Sequence, residues 1–226
     1  MPAARLTFTE TFPALAAIPG LRHGFVLRHP EVDVVTDREE ALARLAPWHD
    51  KELAALDVPR ERLATAAQVH GAEVAVCEGA SPGAHFFPEC DGIITAAAGQ
   101  GIGIYVADCG AVYLVDPVRR ALGLVHSGKK GSELGIARRA IELMGERFGT
   151  AASDLIVQVA PCIRPPDYEI DFAALIQADC LAAGVLPLNF HDCGTSTSGD
   201  LSCYYSYRVE KGQTGRHLAV AAWERK

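Results

Sequence analysis

The chain has 226 residues, of which 49% are hydrophobic and 22% charged, and this composition is typical of a soluble globular enzyme with a sizeable buried core. Its net charge of −7 argues against broad binding to nucleic acid or a membrane surface, which need a basic face, although a local basic cluster can still hold a small anion. No apolar run approaches the ~20 residues of a membrane helix, and the N-terminus lacks the apolar core of a signal peptide. The seven cysteines contain no C-x-x-C pair, so we expect free thiols in a reducing cytoplasm.

The first half of the chain is predicted to contain short strands and two helices. Asp37 caps a helical pattern that should end before Pro47, because proline cannot donate the backbone hydrogen bond of a helix interior. A second helix should follow at 49–57, and 78–90, rich in glycine and proline, should be a loop. Strands are predicted at 5–9, 22–28, 62–69 and 73–77.

The second half begins with four apolar runs whose connections are too short to contain helices, so neighbouring runs should pair antiparallel. These runs are 91–96, 102–107, 111–115 and 121–126. A helix is predicted at 132–148, with a buried stripe of Leu134, Ala137, Ile141, Met144 and Phe148. The remaining predicted elements are a helix at 171–183 and strands at 154–160, 201–207 and 217–223. Many strands with helices between groups of them, and no linker or repeat, indicate a single α+β domain over 1–226.

Three predicted strand ends carry side chains that can bind a metal ion. His70, Cys109 and His126 each lie at or just after the end of an apolar run, with a glycine within the next two residues. Buried strands fix the direction of such side chains, and glycine lets backbone or ligand approach closely. Two imidazoles and one thiolate leave a fourth position open, which is the pattern of catalytic zinc. We therefore predict one metal site, with Cys109 and His126 also taking part in catalysis.

Other interpretations of these residues stay open. Blue copper also uses two histidines and a cysteine, but it usually adds an axial methionine, and the chain has only Met1 and Met144. Cys109 beside a histidine can instead be an activated nucleophile without metal. Asp108 could orient a ligand or take a proton, or it could cap backbone amides, and strand alternation directs it away from Cys109.

Basic residues occur in three short segments that can bind an anion. Lys129 and Lys130 lie where a strand meets the predicted 132–148 helix, so exposed amides and two ammonium groups could cradle a phosphate, although the glycine spacing is not that of a P-loop. Arg208 and Arg216 add two guanidinium groups suited to bidentate contacts with an oxyanion. Each segment also has an ordinary interpretation as a charged surface turn or hairpin.

Taken together, these segments resemble the multicopper polyphenol oxidase, or laccase-domain, family, which is also described as a purine nucleoside phosphorylase family. The matching segments occur in the family's order from about residue 20 to residue 224, and the ordered set is specific. They are 68–71, 91–95, 107–109, 126–131, 161–163, 168–169, 206–208 and 214–216.

The resemblance implies an α/β/β/α sandwich, similar to the fold of certain cysteine-dependent deamidases, and Zn²⁺ bound by His70, Cys109 and His126, with Cu²⁺ as the alternative. It implies a purine nucleoside and phosphate as small-molecule partners. Family members are reported to phosphorolyse adenosine, inosine, guanosine and methylthioadenosine and to deaminate adenosine. The substrate-binding candidates are then Arg28, Gln68, Lys129, Lys130, Arg208 and Arg216, and the catalytic candidates are Asp108, Cys109 and His126. We expect a monomer or homodimer that binds neither nucleic acid nor a membrane.

The chain departs from the family pattern in its substrate-facing segments. The family usually has His-Ala-Gly-Trp-Arg-Gly where this chain has Ser127, Lys129 and Lys130, so an indole and a guanidinium are lost. A glycine-rich loop expected after Arg28 is replaced by His-Pro-Glu-Val-Asp, and Gly110 replaces a bulky residue. These changes concern substrate contacts more than metal binding, so we expect a divergent branch with low phosphorolytic efficiency.

Four functions compete on this basis. The leading hypothesis is a zinc-dependent enzyme that phosphorolyses purine nucleosides and has adenosine deamination as a further activity, although the H-x-E and P-C-x-x-C signature of zinc deaminases is absent. A copper-dependent phenol oxidase ranks below it, because the eight histidines are dispersed and no H-x-H occurs. A metal-free hydrolase or amidase using Cys109 and His126, and an inactive zinc-binding protein, are the remaining alternatives.

Overall fold

In residues 8–79 and 85–225, which a computed structural model describes, the strands form two six-stranded sheets. The strands are β1 (Thr9–Glu10), β2 (Leu21–Val26), β3 (Leu63–Ala66), β4 (Val74–Val76), β5 (His85–Phe87), β6 (Gly92–Thr95), β7 (Gly101–Val106), β8 (Gly110–Asp116), β9 (Ala121–Ser127), β10 (Ile156–Val159), β11 (Phe190–Asp192) and β12 (His217–Trp223). The helices are α1 (Pro13–Ala16), α2 (Arg38–Ala55), α3 (Lys129–Glu133), α4 (Ile136–Phe148) and α5 (Phe172–Ala182). No helix in these ranges is both long and apolar enough to cross a membrane.

The two sheets mix parallel and antiparallel neighbours. The first sheet has the order β1-β2-β12-β7-β3-β5, and the second has the order β11-β10-β8-β9-β6-β4. In the first sheet, β12 runs antiparallel to both β2 and β7, while β3 runs parallel to β7 and β5. The antiparallel hairpin of β8 and β9 forms the centre of the second sheet.

The sheets pack face to face, and helices cover their outer faces. Side chains of both sheets meet between them, namely Ile102, Ile104, Ala219 and Ala221 from the first and Tyr113, Val115, Leu122 and Leu124 from the second. α2 covers the outer face of the first sheet, and α4 and α5 cover that of the second. The predicted α+β class and α/β/β/α sandwich are thereby confirmed. Central strands with both faces buried read as continuous apolar runs, which is why the sequence showed them clearly.

Pro47 lies inside α2, so the predicted helix end before it is wrong. α2 begins after its N-cap Asp37, as predicted, and continues through the proline without interruption. Proline costs a helix interior about 3 kcal/mol. Burial of Leu45, Trp48 and Leu53 against the first sheet offsets this cost, because each large apolar side chain contributes about 1.5–3 kcal/mol.

The predicted helix at 132–148 is two helices, α3 and α4, which are separated at Gly135. This glycine has φ 70° and ψ 41°, a left-handed conformation that cannot continue a right-handed helix. Leu134 consequently turns to solvent with 43% of its surface exposed and does not belong to the buried stripe. The other four predicted members of the stripe pack against the second sheet.

Only one tight connection among the four apolar runs is a hairpin. β8 and β9 pair antiparallel as predicted, but β7 belongs to the first sheet, whereas β6 and β8 belong to the second. The prediction of antiparallel pairing is therefore wrong for the other two connections. The chain crosses from one sheet to the other between β7 and β8, at residues 107–109.

Two further segments differ from prediction. Residues 201–207 form turns and irregular backbone rather than a strand, and the predicted loop 78–90 contains β5. Residues 80–84 of that loop and residues 5–7 of the first predicted strand lie outside the described residues.

Candidate metal centre

The three predicted metal ligands come together at the ends of β3, β7 and β9. His70 follows β3, Cys109 lies in the crossing from β7 to β8, and His126 is the penultimate residue of β9. One ligand atom from each residue, an imidazole nitrogen or the thiol sulfur, lies within 4.8 Å of the others. His126 is buried and His70 is exposed, so the group is open on one side. This arrangement can hold a metal ion with three protein ligands and one open position.

Asp91, which the sequence did not single out as a site residue, orients both histidines. Its carboxylate accepts a hydrogen bond from Nδ1 of His126 at 2.8 Å. The same carboxylate accepts bonds from the backbone amides of Val69, His70 and Gly71 at 3.2, 2.9 and 2.7 Å. Because Nδ1 of His126 is engaged in this way, Nε2 is the nitrogen available to a metal.

The environment favours a thiolate at Cys109. Burial opposes this form, but hydrogen bonds and electrostatic interactions with His126 and His70 lower the pKa of the Cys109 thiol to about 6. Burial likewise opposes the charged form of His126, yet hydrogen bonds with Asp91 and Cys109 raise the pKa of His126 to about 9. The thiolate is the form of cysteine that binds metal ions and attacks electrophiles.

The backbone near the ligands is left-handed at non-glycine residues. φ is 62° at Gln68, 59° at His70 and 81° at Asp108, and each such position costs of order 1–3 kcal/mol. A glycine is required for a different reason at Gly128, where a β-carbon would lie 2.6 Å from the sulfur of Cys109. Strained backbone of this kind concentrates at functional sites, where the surrounding structure holds it in place.

Asp108, next to Cys109 in the chain, receives several hydrogen bonds. The hydroxyls of Thr197 and Ser206 donate to its carboxylate at 2.6 and 3.0 Å, and the backbone amide of Arg208 donates at 2.7 Å. The side chain is buried, so these donors compensate its charge. Asp108 thereby fastens the segment that carries Arg208 to the crossing between the sheets.

The ligand group opens into a cavity of about 950 Å³. Aromatic side chains of its lining include Tyr105, Tyr168, Phe172 and Tyr207. Its basic side chains are Arg38, Lys129, Lys130, Arg208 and Arg216, and its acidic ones are Asp37, Asp108 and Glu133. A volume of this size accommodates a small ligand, and the lining suits a flat ring joined to an anion.

Among the described residues, five of the six predicted substrate-binding residues line this cavity, namely Gln68, Lys129, Lys130, Arg208 and Arg216. Arg28 lies outside the lining, where its guanidinium pairs with Glu210 at 2.9 Å and stacks over Tyr205. The Gln68 side chain is engaged with the backbone of Tyr105, donating to its carbonyl at 2.5 Å and accepting from its amide at 2.9 Å.

Arg38 is a cavity residue that the sequence did not reveal. It is the first residue of α2, and its guanidinium donates to the carbonyl of Ala67 at 3.3 Å. A charged residue directly after an N-cap resembles any solvated helix position, so the sequence carries no signal for its place in the cavity.

A family model described as multi-copper polyphenol oxidoreductase laccase matches residues 33–173 and 167–224 of the chain. The chain belongs to this family. The match includes every residue of the ligand group and all strands except β1 and β2, and it confirms the predicted resemblance.

Relatives of this laccase-family chain carry the name purine nucleoside phosphorylase. YlmD of Geobacillus stearothermophilus, so named, is 29% identical over 235 residues, which cover 88% of this chain and 82% of that protein. A relative of that name from Deinococcus radiodurans is 31% identical over 212 residues, covering 84% and 81%. The crystal structure of YlmD from Geobacillus stearothermophilus superposes with a TM-score of 0.80 at 25% identity, covering 95% of this chain and 94% of that one.

The residues present fit a transition metal. Two imidazoles and a thiolate of lowered pKa form a donor set that suits zinc and copper. The Asp91 carboxylate holds the His126 ring in orientation by its hydrogen bond with Nδ1. Within the described residues of this laccase-family chain, this is the one group of three or more such side chains placed to hold a metal ion.

Proposed function

We propose that the protein is a zinc-dependent enzyme that cleaves purine nucleosides by phosphorolysis. The observation that carries this proposal is the position of a His-Cys-His ligand group in the wall of a cavity lined by aromatic and basic side chains. Relatives named purine nucleoside phosphorylase, at 29% and 31% identity, support it.

The basic side chains of the cavity are proposed to hold phosphate. In phosphorolysis, a phosphate oxygen bonds to C1′ of the sugar while the bond from C1′ to the purine nitrogen breaks, and its electron pair leaves with the purine. Lys129, Lys130, Arg208 and Arg216 are the predicted candidates in this lining. Fixed positive charges beside C1′ both orient the phosphate and balance its charge.

The aromatic side chains are proposed to receive the purine. The rings of Tyr168 and Phe172 lie with centroids 4.9 Å apart, and Tyr207, which is 54% exposed, borders the same cavity. Contact with an aromatic face contributes about 0.5–1.5 kcal/mol beyond the area buried. These rings would take the place of the indole that the segment 126–131 lacks.

His70, Cys109 and His126 would hold the zinc, with Asp91 orienting His126. When bound, zinc supplies a Lewis acid and lowers the pKa of a bound water, which is the chemistry that deamination of adenosine needs. We assign Asp108 a positioning role, because hydrogen bonds from Thr197, Ser206 and the Arg208 amide occupy its carboxylate.

Incubation of the purified zinc-loaded protein with adenosine, inosine, guanosine or methylthioadenosine, with and without phosphate, tests the proposal. We expect free purine base and a sugar 1-phosphate that appear only with phosphate, and no product from a Cys109→Ala variant. Formation of base in equal amount without phosphate would instead indicate hydrolysis, and no turnover of any nucleoside would contradict the proposal.

A metal-free cysteine hydrolase or amidase is a second candidate. Its specific support is the series Cys109, His126 and Asp91, in which a thiol with a pKa of about 6 contacts an imidazole that is bonded to a carboxylate at 2.8 Å. Chelator-treated protein separates the two candidates. Turnover of amide substrates that survives metal removal but not alkylation of Cys109 would favour the hydrolase.

A copper-dependent phenol oxidase has less support from the placement of the histidines. His23, His49 and His217 are buried and hydrogen-bonded to backbone groups, so they are not arranged around further metal ions. Multicopper oxidation needs several closely spaced histidines. We therefore place this activity below phosphorolysis.

The wider setting of the enzyme is part of the same proposal. All seven cysteines are free, which fits a reducing compartment, and we propose a cytoplasmic location. We further propose that residues 1–226 act as one domain, as a monomer or homodimer, on small molecules rather than on nucleic acid or membranes.

A further inference from the structure

Two arginines from different parts of the chain enter the cavity together. Arg38 begins α2, and Arg216 directly precedes β12. Both line the cavity that contains the ligand group. Burial lowers the pKa of Arg216, and the charge of nearby Arg38 lowers it further, against the opposing charges of Tyr207, Cys109 and Asp108.

The surroundings of these guanidinium groups supply hydrogen-bond acceptors but no ion pair within the described residues. Arg216 is buried, with 8% of its surface exposed, and Nη1 donates to the carbonyls of Thr214 and Gly215 at 2.9 Å each. Arg38 donates to the carbonyl of Ala67. Within the part of the chain that the structure describes, neither arginine forms an ion pair with a carboxylate.

The acidic residues of the cavity are engaged elsewhere or lie at the solvent. The Asp37 carboxylate accepts hydrogen bonds from backbone amides in the first turn of α2. The Asp108 carboxylate accepts the three hydrogen bonds described above, and Glu133 is exposed. Arg208, by contrast, already pairs with Glu169 at 3.0 Å and stacks over Tyr168. Of the three arginines in the described lining, Arg38 and Arg216 are therefore the two that form no ion pair.

Two neighbouring guanidinium groups, one of them buried, are costly without an anion, because burial penalises the charge and like charges repel. Their carbonyl contacts orient the side chains but supply no negative charge. A doubly charged oxyanion removes both penalties, and the planar fork of arginine matches the oxygens of phosphate.

We propose that Arg38 and Arg216 together form the oxyanion subsite of this cavity and that this subsite binds a phosphate group. The role of this phosphate group as a reactant rests on the proposed function, whereas its binding to the two arginines does not. The phosphate comes from one of two sources, free inorganic phosphate or the phosphate of a nucleoside monophosphate.

The test uses calorimetric titration of the zinc-loaded, full-length protein at constant ionic strength. The probes are inorganic phosphate and adenosine monophosphate, with adenosine as the uncharged reference. The variants are Arg38→Gln, Arg38→Lys and Arg216→Lys. Arg44→Gln is the matched control, because Arg44 lies on the same helix, pairs with Glu40 and Asp33, and does not line the cavity.

We expect Arg38→Gln to weaken binding of the phosphate probes about tenfold to a hundredfold. Arg38→Lys and Arg216→Lys, which keep the charge but lose the planar fork, should weaken it less. The Arg38 variants should bind adenosine and zinc as the native protein does. The Arg44→Gln control should bind every probe with native affinity. If inorganic phosphate binds more tightly than adenosine monophosphate, the free anion is the occupant. If only the monophosphate binds, the occupant is the phosphate of a phosphorylated substrate.

Unchanged phosphate affinity in Arg38→Gln overturns the subsite, and so does a native protein that binds neither phosphate probe. Failure of the proposed function has a different signature. In that case the native protein binds phosphate, Arg38→Gln weakens this binding, and no nucleoside is cleaved.

Discussion

Asp91 links the two histidines of the candidate metal centre. One carboxylate receives the amides on both sides of His70, the amide of His70 itself and the imidazole of His126. Its position therefore sets the separation of the two ligands. The imidazole of His70 could not hold this position unaided, because its side chain is exposed and its backbone is left-handed.

Replacement of Asp91 by asparagine tests this dependence. Asp91→Asn keeps the shape of the side chain but replaces one acceptor oxygen by an NH₂ group, which then opposes an N–H donor. We expect zinc affinity to fall about tenfold to a hundredfold, the usual effect of losing a group that orients a metal ligand. Competition with a chromophoric chelator measures this change.

Asp116→Asn is the matched control, because Asp116 is also fully buried and also accepts bonds from backbone amides, but in the turn between β8 and β9. Its zinc affinity should equal that of the native protein. A folded Asp91→Asn protein with native zinc affinity would show that the carboxylate has no part in orienting the ligands.

The separation along the chain between interacting residues explains which site residues the sequence revealed. His70, Cys109 and His126 were predictable because each follows an apolar run, a signal contained in a few neighbouring residues. Asp91 acts on His126, 35 positions away, and Arg38 contacts Ala67, 29 positions away. Their roles arise only when the fold brings these segments together, so a single sequence contains no pattern for them.

At the scale of elements, Gly135 sets the direction of α3. The left-handed turn ends α3 after five residues and starts α4 at Ile136. Because of this break, α3 need not follow α4 along the second sheet, and both Lys129 and Lys130 line the cavity. One backbone angle thus connects the packing of the sandwich with the lining of the site.

Two glycine substitutions on the same segment should have opposite effects on stability. Gly135→Ala is expected to lower the free energy of unfolding by about 1–2 kcal/mol, because alanine is unfavourable at φ 70°. Gly145→Ala, inside α4, is expected to raise it by about 0.5–1 kcal/mol, since its β-carbon meets only ordinary contact at 3.4 Å. Urea denaturation measures both, and equal effects of the two changes would contradict the assigned role of Gly135.

Strands were more predictable than their pairing. Periodicity and apolar runs located β7, β8 and β9, because burial of both faces leaves a local trace in the sequence. The assignment of β7 to one sheet and β8 to the other depends on pairing with β12 and β10, which lie far along the chain. The crossing at 107–109, where Cys109 lies, was therefore not predictable from connection length.

At the scale of the whole molecule, three histidines have a structural rather than a catalytic place. His23, His49 and His217 are buried, and burial lowers the pKa of each, to about 4, about 4 and about 3. Each is therefore neutral in the folded protein at neutral pH. All three bond to backbone groups that pack on or within the first sheet, so the sandwich depends on their uncharged form.

These histidines predict a loss of stability in acid. A histidine whose pKa is about 4 when folded and 6.5 when unfolded binds fewer protons in the folded state between those two values. Stability is fully present above pH 6.5 and falls as the pH approaches 4, by roughly 1.4 kcal/mol per pH unit for each such group. Thermal unfolding followed at pH 7, 6 and 5 should show this decrease.

His23→Gln isolates one of these contributions. Nε2 of His23 accepts the amide of Phe12 at 2.9 Å, and the side-chain oxygen of glutamine can accept the same bond without titrating. Between pH 7 and pH 5, the variant should lose about 2 kcal/mol less stability than the native protein, from ~1.4 kcal/mol per unit over 1.5 units. Met144→Ala is the control, because Met144 is buried against the second sheet in a cluster that contains none of the three histidines, so it should lower stability equally at every pH. A His23→Gln curve parallel to the native one would show that His23 does not contribute to the acid sensitivity of the sandwich.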